Sequence, residues 1–151
     1  MKITICGSIA FYDQMLIAKK QLEELGHEVK LPPTDVKDEN GDPMSVADYY
    51  QKRKTAANSE TWVWQRKKEA IDSHFDKIAW SDSVLVLNYD KKGVPGYVGG
   101  NTLMEMGVAF FLKKPIFFLN PIPELSYKEE ILGMWPIVLN GDLSKINSSS
   151  L

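Results

Sequence analysis

The chain has 151 residues, 18 Lys and Arg against 20 Asp and Glu, a net charge of −2 and 44% hydrophobic residues. About 150 residues can bury a core unaided, and one cysteine (Cys6) with two histidines (His27, His74) excludes both an internal disulfide framework and a Cys/His zinc site of usual ligand count. No apolar run approaches the ~20 residues of a membrane span, no signal-peptide pattern precedes the first strand-like segment, and the acidic total argues against a dedicated nucleic-acid binder. A cytoplasmic protein without a membrane partner or a metal is expected.

Lys2 to Gly7 alternates and ends in glycine, and Phe11 to Leu25 carries Met15, Leu22 and Leu25 at helical spacing before Gly26. His27 to Leu31 reads as a second strand closed by Pro32-Pro33. Thr34 to Pro43 is polar and acidic with Asn40-Gly41, which predicts a mobile loop, a lid or a disordered excursion. Helices are expected over Ser45 to Ala57 and from Ser59 to about Trp80, the latter capped by Ser59 or Asn58. Its apolar stripe is Trp64, Ile71, Phe75 and Ile78, flanked by His74. Ser83 to Asn88 is a continuous apolar strand of the kind buried on both faces of a parallel sheet.

Gly93 to Gly100 is a glycine-rich loop, Asn101 to Leu112 a helix apolar nearly all round, and Pro115 to Leu119 another strand. A short helix over Glu124 to Gly133 and a strand over Pro136 to Leu139 complete the pattern. Strands alternating with helices imply right-handed crossovers. The fold class expected is therefore a single doubly wound α/β domain over residues 1–146, with a five-stranded parallel sheet of order 2-1-3-4-5, helices on both faces, and a polar tail at 147–151.

In such a sheet ligands lie beyond the carboxyl ends of the strands where the strand order reverses. That crevice brings together the loop after strand one (Cys6, Gly7, Ser8, Ile9) and the segment after strand three (Asn88 and Gly99, Gly100, Asn101, Thr102), where glycines admit a ligand and helix N-termini offer free N–H groups. Glu105 is the only polar side chain between Leu103 and Leu112. A buried carboxylate needs compensation. It is either a dipole-stabilised glutamate exposed at the sheet's edge or a carboxylate kept in a cleft for covalent or acid/base work. His74 is either a satisfied semi-buried side chain or a proton carrier. Asp82 is expected to cap the turn into strand three, and Cys6 to be a small core residue. The basic and aromatic residues between Tyr49 and Lys68 read as a solvated helix face, with single-strand nucleic-acid binding the sharper alternative.

Strand one ending Cys6-Gly7-Ser8-Ile9, the entry Ser81-Asp82-Ser83-Val84-Leu85-Val86 and the run Glu105-Met106-Gly107-Val108-Ala109 after a glycine loop resemble the nucleoside 2-deoxyribosyltransferase superfamily. The start looks closest to the 2'-deoxynucleoside 5'-phosphate N-hydrolases. The resemblance implies Glu105 as a nucleophile toward a sugar anomeric carbon, a small-molecule nucleoside or nucleotide substrate, no cofactor, and a homodimer or larger assembly whose subunits help close the site. Counting back eight residues from Asp82, where the family has a catalytic aspartate, lands on His74. Either His74 handles the proton or Asp76 is brought in. The family's tyrosine two residues before Cys6 is Thr4 here, and its phosphate-binding arginine and serine fall near Ala10 and at Gly99. Gly99 to Glu105 also resembles the motif of cytokinin-activating nucleoside monophosphate phosphoribohydrolases. Catalysis of N-glycosidic cleavage or base exchange is thus the leading expectation, and a nucleotide sensor that has lost the chemistry is the alternative.

Overall fold

The computed structural model describes residues 1–148. The chain runs through β1 (Lys2–Cys6), a 3-10 turn (Ile9–Phe11), α1 (Tyr12–Glu24), β2 (Glu28–Lys30), β3 (Asp35–Lys37), β4 (Pro43–Ser45), α2 (Val46–Thr55) and α3 (Thr61–Trp80). β5 (Ser83–Val86), α4 (Gly100–Phe111), β6 (Ile116–Phe118), α5 (Lys128–Gly133), β7 (Ile137–Val138) and α6 (Lys145–Ser148) follow. The main sheet is parallel throughout, in the order β2-β1-β5-β6-β7. With the β3–β4 pair set apart, this is the expected order and class. Of the expected tail, residues 147–148 belong to α6 and 149–151 lie outside the described residues. No helix among the described residues is long and apolar enough to cross a membrane.

Strand alternation divides the core into two layers. Ile3, Ile5, Leu85, Leu87 and Phe117 pack against Met15 and Leu22 of α1, while Cys6, Val84, Val86 and Phe118 pack against Ile78 of α3, Met106 of α4 and Ile131 of α5. All of these are buried, which is why β5 shows no polar alternation. Thr4 points into the α3 layer, where its hydroxyl donates to the Lys77 carbonyl at 2.8 Å. Lys114 donates from the α4–β6 turn to the carbonyls of Ile78, Ala79 and Ser81, so the C-terminal end of α3 is satisfied and held by a cation. Asp82 accepts from the Lys2 amide at 2.7 Å, tying the start of β5 to β1.

The stretch expected to be a mobile loop is an antiparallel hairpin, with Val36 opposite Met44. Asp38 Oδ1 closes its tip by accepting from the amides of Asn40 and Asp42 at 2.8 and 2.9 Å, and Arg66 of α3 donates to the Lys37 and Asp38 carbonyls. Its polarity reflects a surface position rather than lack of order. Two helix starts also differ in kind. Ser45 caps α2 by accepting from the Asp48 amide, whereas neither Asn58 nor Ser59 caps α3, which opens after Glu60.

Asn88 is not placed as a ligand-binding residue. It is fully buried beyond β5 and clasps Asn120 beyond β6: Nδ2 donates to the Asn120 and Pro121 carbonyls and Oδ1 accepts from the Asn120 amide, all within 3.0 Å, while Asn120 Nδ2 donates back to the Asn88 carbonyl. The clasp fixes the root of the glycine-rich loop. Gly96 packs over it at φ +68°, where a Cβ would lie 2.8 Å from the Pro121 carbonyl. Gly96→Ala should therefore cost about 1–3 kcal/mol of stability in urea denaturation, from backbone strain with the clash added; an unchanged midpoint would show that the loop is not rooted this way.

Candidate active site

At the reversal point between β1 and β5 the connections diverge, and a cavity of about 270 Å³ opens between them. Its floor is made by Gly7, Ser8 and Ile9 after β1, and by Gly99, Gly100, Asn101, Thr102 and Glu105 at the start of α4. His74 and Lys67 of α3 form one wall; Tyr49, Tyr50 and Arg53 of α2, Val36 of the hairpin, and Lys91, Lys92 and Tyr97 of the β5–α4 loop form the others. Gly7 is required for close approach, since a Cβ there would sit 2.9 Å from the Leu87 carbonyl.

Glu105 is 3% exposed in the second turn of α4, beyond effective reach of the helix dipole and not at an exposed edge. Its compensation is specific. Glu105 Oε2 lies 3.0 Å from His74 Nε2, and Oε1 accepts from Asn101 Nδ2 at 3.3 Å. His74 is 4% exposed and its Nδ1 is buried without a hydrogen-bond partner among the described residues. In the neutral ring the proton therefore belongs on Nε2, donated to Glu105. Asn101 is oriented in turn by Lys67, whose Nζ donates to Oδ1 at 3.1 Å. Burial, then the nearby Arg53, push the Lys67 amine down to about 8, with Glu105 opposing.

Beneath the pair, Cys6 Sγ lies 3.5 Å from His74 Nε2. Cys6 is fully buried and supports the floor without lining the cavity. Burial, then the charge of Glu105, push its thiol well up, so it is held as a thiol. The ligand atoms of Cys6, His74 and Glu105 lie within 4.8 Å of one another, so these are the residues that could hold a metal ion; the ion would have to displace the thiol proton and the His74–Glu105 bond together.

Of the residues singled out in the sequence, Gly7, Ser8, Ile9, His74, Gly99, Gly100, Asn101, Thr102 and Glu105 share this cavity, whereas Cys6 and Asn88 stand behind it. Asp76 is not brought in. It is exposed, and two residues beyond His74 it falls on the far side of α3, about 200° round the axis. Thr4 spends its hydroxyl on α3 and does not orient a ligand. Sequence reasoning missed the cationic and aromatic wall. The signal in Tyr49 to Lys68 was visible, but helical periodicity cannot tell a face turned to water from one turned to a cavity. Burial alone would push the Tyr50 phenol up, yet Lys91, Lys54, Lys92 and Arg53 together draw it below its ordinary value.

No known family model and no curated protein sequence matches the chain. Among solved structures it is similar to a 2-deoxyribosyltransferase of Bacillus psychrosaccharolyticus, with TM-score 0.61 and 16% identity over 100% of this chain and 93% of that one. It is also similar to a CMP N-glycosidase of Clostridium botulinum, with TM-score 0.50 and 16% identity over 99% of this chain and 100% of that one. The fold is that of the nucleoside 2-deoxyribosyltransferases. Identity this low carries the deoxyribosyltransferase fold and no residue's role, so the pairing of Glu105 with His74 must be tested on this chain. His74→Leu should destabilise the protein by about 3–5 kcal/mol by leaving a buried carboxylate without its donor, and adding Glu105→Gln should recover part of that loss. Equal denaturation midpoints for the single and double variants would show that His74 does not compensate the Glu105 charge.

Proposed function

We propose that the protein cleaves or exchanges the N-glycosidic bond of a nucleoside or nucleoside 5'-monophosphate through a glycosyl ester on Glu105. The observation that carries this reading is the one carboxylate among the described residues lining the cavity, buried in its floor, with one oxygen held by His74 and the other by Asn101. The fold shared with a deoxyribosyltransferase and a CMP N-glycosidase supports it.

A Glu105 oxygen attacks the anomeric carbon as the bond to the base nitrogen breaks; the base leaves with that bond's electron pair and takes up a proton. Water, or the nitrogen of a second base, then attacks the same carbon and releases the carboxylate. The first route is hydrolysis, which we favour, and the second is transfer. His74 acts on Glu105: its Nε2–H bond keeps the carboxylate oriented while its second nitrogen faces protein. Gly99, Gly100 and Thr102 offer backbone N–H groups and a hydroxyl at the N-terminus of α4 for sugar oxygens. No cofactor enters these steps. The working form is a homodimer or larger assembly, supported by the apolar side chains that α4 and its C-cap leave exposed: Met104, Phe110, Phe111 and Leu112.

Chromatographic assay of free base from nucleosides and from ribo- and deoxyribonucleoside 5'-monophosphates, with and without an acceptor base, tests the reading. Glu105→Gln should keep the fold and lower base release by about 10³-fold or more. Undiminished turnover by that variant would overturn the role of Glu105.

A further inference from the structure

The charge of the cavity wall is opposite to that of the chain. The protein carries a net −2, yet the residues facing the cavity include Arg53, Lys67, Lys91 and Lys92 against the single carboxylate of Glu105. Three neighbouring cations on the same two helices are neutralised: Lys52 pairs with Glu60 at 3.0 Å, Arg66 with Glu69 at 3.0 Å and Lys68 with Asp72 at 2.6 Å. None of the four cavity cations makes an ion pair with a carboxylate among the described residues. They also crowd one another: Arg53 contributes to the depressed Lys67 amine, and Arg53, Lys91 and Lys92, with Lys54, surround the Tyr50 phenol. Unpaired like charges facing a shared cavity are relieved by an anion placed among them.

Two of these groups are prepared for one. The Arg53 guanidinium rests on the rings of Tyr49 and Tyr50, 5.3 Å from each centroid, and its Nε is buried with no hydrogen-bond partner among the described residues. Lys91 Nζ donates to Ser8 Oγ at 2.7 Å, and the same oxygen accepts from the Ala10 amide at 3.3 Å. Ser8 thus uses its oxygen as an acceptor twice and has its own O–H left to give, beside an ammonium with further protons of its own. An ammonium, a guanidinium fork and a hydroxyl donor facing one cavity match a dianion with three acceptor oxygens better than a carboxylate.

We infer that the nucleoside taken by this site carries a phosphate, held by Arg53 of α2, Lys91 of the β5–α4 loop and Ser8, with Lys67 and Lys92 adding to the field. The inference rests on the glycosidic reading above only for the remainder of the substrate. It assigns the charge to Arg53 and Lys91, side chains other than those near Ala10 and at Gly99, which here bear no charge.

The test pairs each nucleoside with its 5'-monophosphate in the base-release assay, and adds calorimetric binding of 2'-deoxyribose 5-phosphate, 2'-deoxyribose and inorganic phosphate. The monophosphate should be favoured in kcat/KM by about tenfold or more, with an advantage that shrinks as salt rises. Arg53→Met and Lys91→Met, on separate elements so that a folding defect in one leaves the other informative, should each raise KM for the monophosphate about tenfold or more. Equal or better use of the unphosphorylated nucleoside, insensitive to salt, overturns the phosphate and leaves the glycosidic reading standing. Absence of base release from every compound, with binding of 2'-deoxyribose 5-phosphate that both variants lose, does the reverse. Failure of any phosphorylated probe to bind or turn over better than its unphosphorylated counterpart overturns the inference.

Discussion

A carboxyl group with 3% exposure is costly to a protein unless the fold delivers its partners, and at Glu105 three elements do so. α4 carries the carboxylate and, one turn earlier, Asn101; α3 brings His74; β1 supplies the surface on which His74 rests. The position of α3 is therefore the controlling variable. It is set by Ile78 in the core, by the Thr4 hydroxyl on the Lys77 carbonyl and by Lys114 on the last carbonyls of the helix, all within about two turns of His74. A residue that looks like a lost tyrosine, Thr4, thus acts through the helix that orients the imidazole.

Much of this was legible in the sequence, for identifiable reasons. Uninterrupted apolar runs in β5 and β6 and alternation in β1 announce a sheet covered on both faces, and glycines after β1 and before α4 mark where two loops must approach. Isolation of Glu105 in an apolar helix pointed to a carboxylate needing partners, because burial can be inferred from neighbours at helical spacing. What remained hidden depends on surfaces that lack a periodic signature. The β3–β4 hairpin offers one apolar side chain per strand, Val36 and Met44, among polar neighbours and pairs through its backbone, so composition made it look disordered. Asn88 sits at a strand end where a ligand would lie, and only the clasp with Asn120, 32 residues away, shows its amide to be fully used within the protein. Asp76 and His74 differ by two positions in sequence but by more than half a turn of helix in direction.

The helix charges are the clearest case of information that sequence contains but cannot read out. In α2 and α3 basic residues cluster at Lys52, Arg53 and Lys54 and at Arg66, Lys67 and Lys68, and a periodic analysis treats them as solvated face. The fold sorts them. Those turned to solvent find Glu60, Glu69 and Asp72, and contribute little to stability because such exposed pairs are weak. Those turned inward face the space between α2, α3 and the β5–α4 loop, where Glu105 is the only lining carboxylate among the described residues and the surrounding protein screens less than water.

One cavity therefore holds a carboxylate stabilised by neutral or shared donors and, on its other walls, cations left without carboxylate partners. The two halves need each other kept apart. If Lys67 paired directly with Glu105, each charge would cancel the other; Asn101 stands between them, accepting from Lys67 and donating to Glu105. An amide can do both at once where a charged side chain cannot. Placing it at the second residue of α4, one turn before Glu105, lets the same helix present the carboxylate and insulate it from the cations across the cavity.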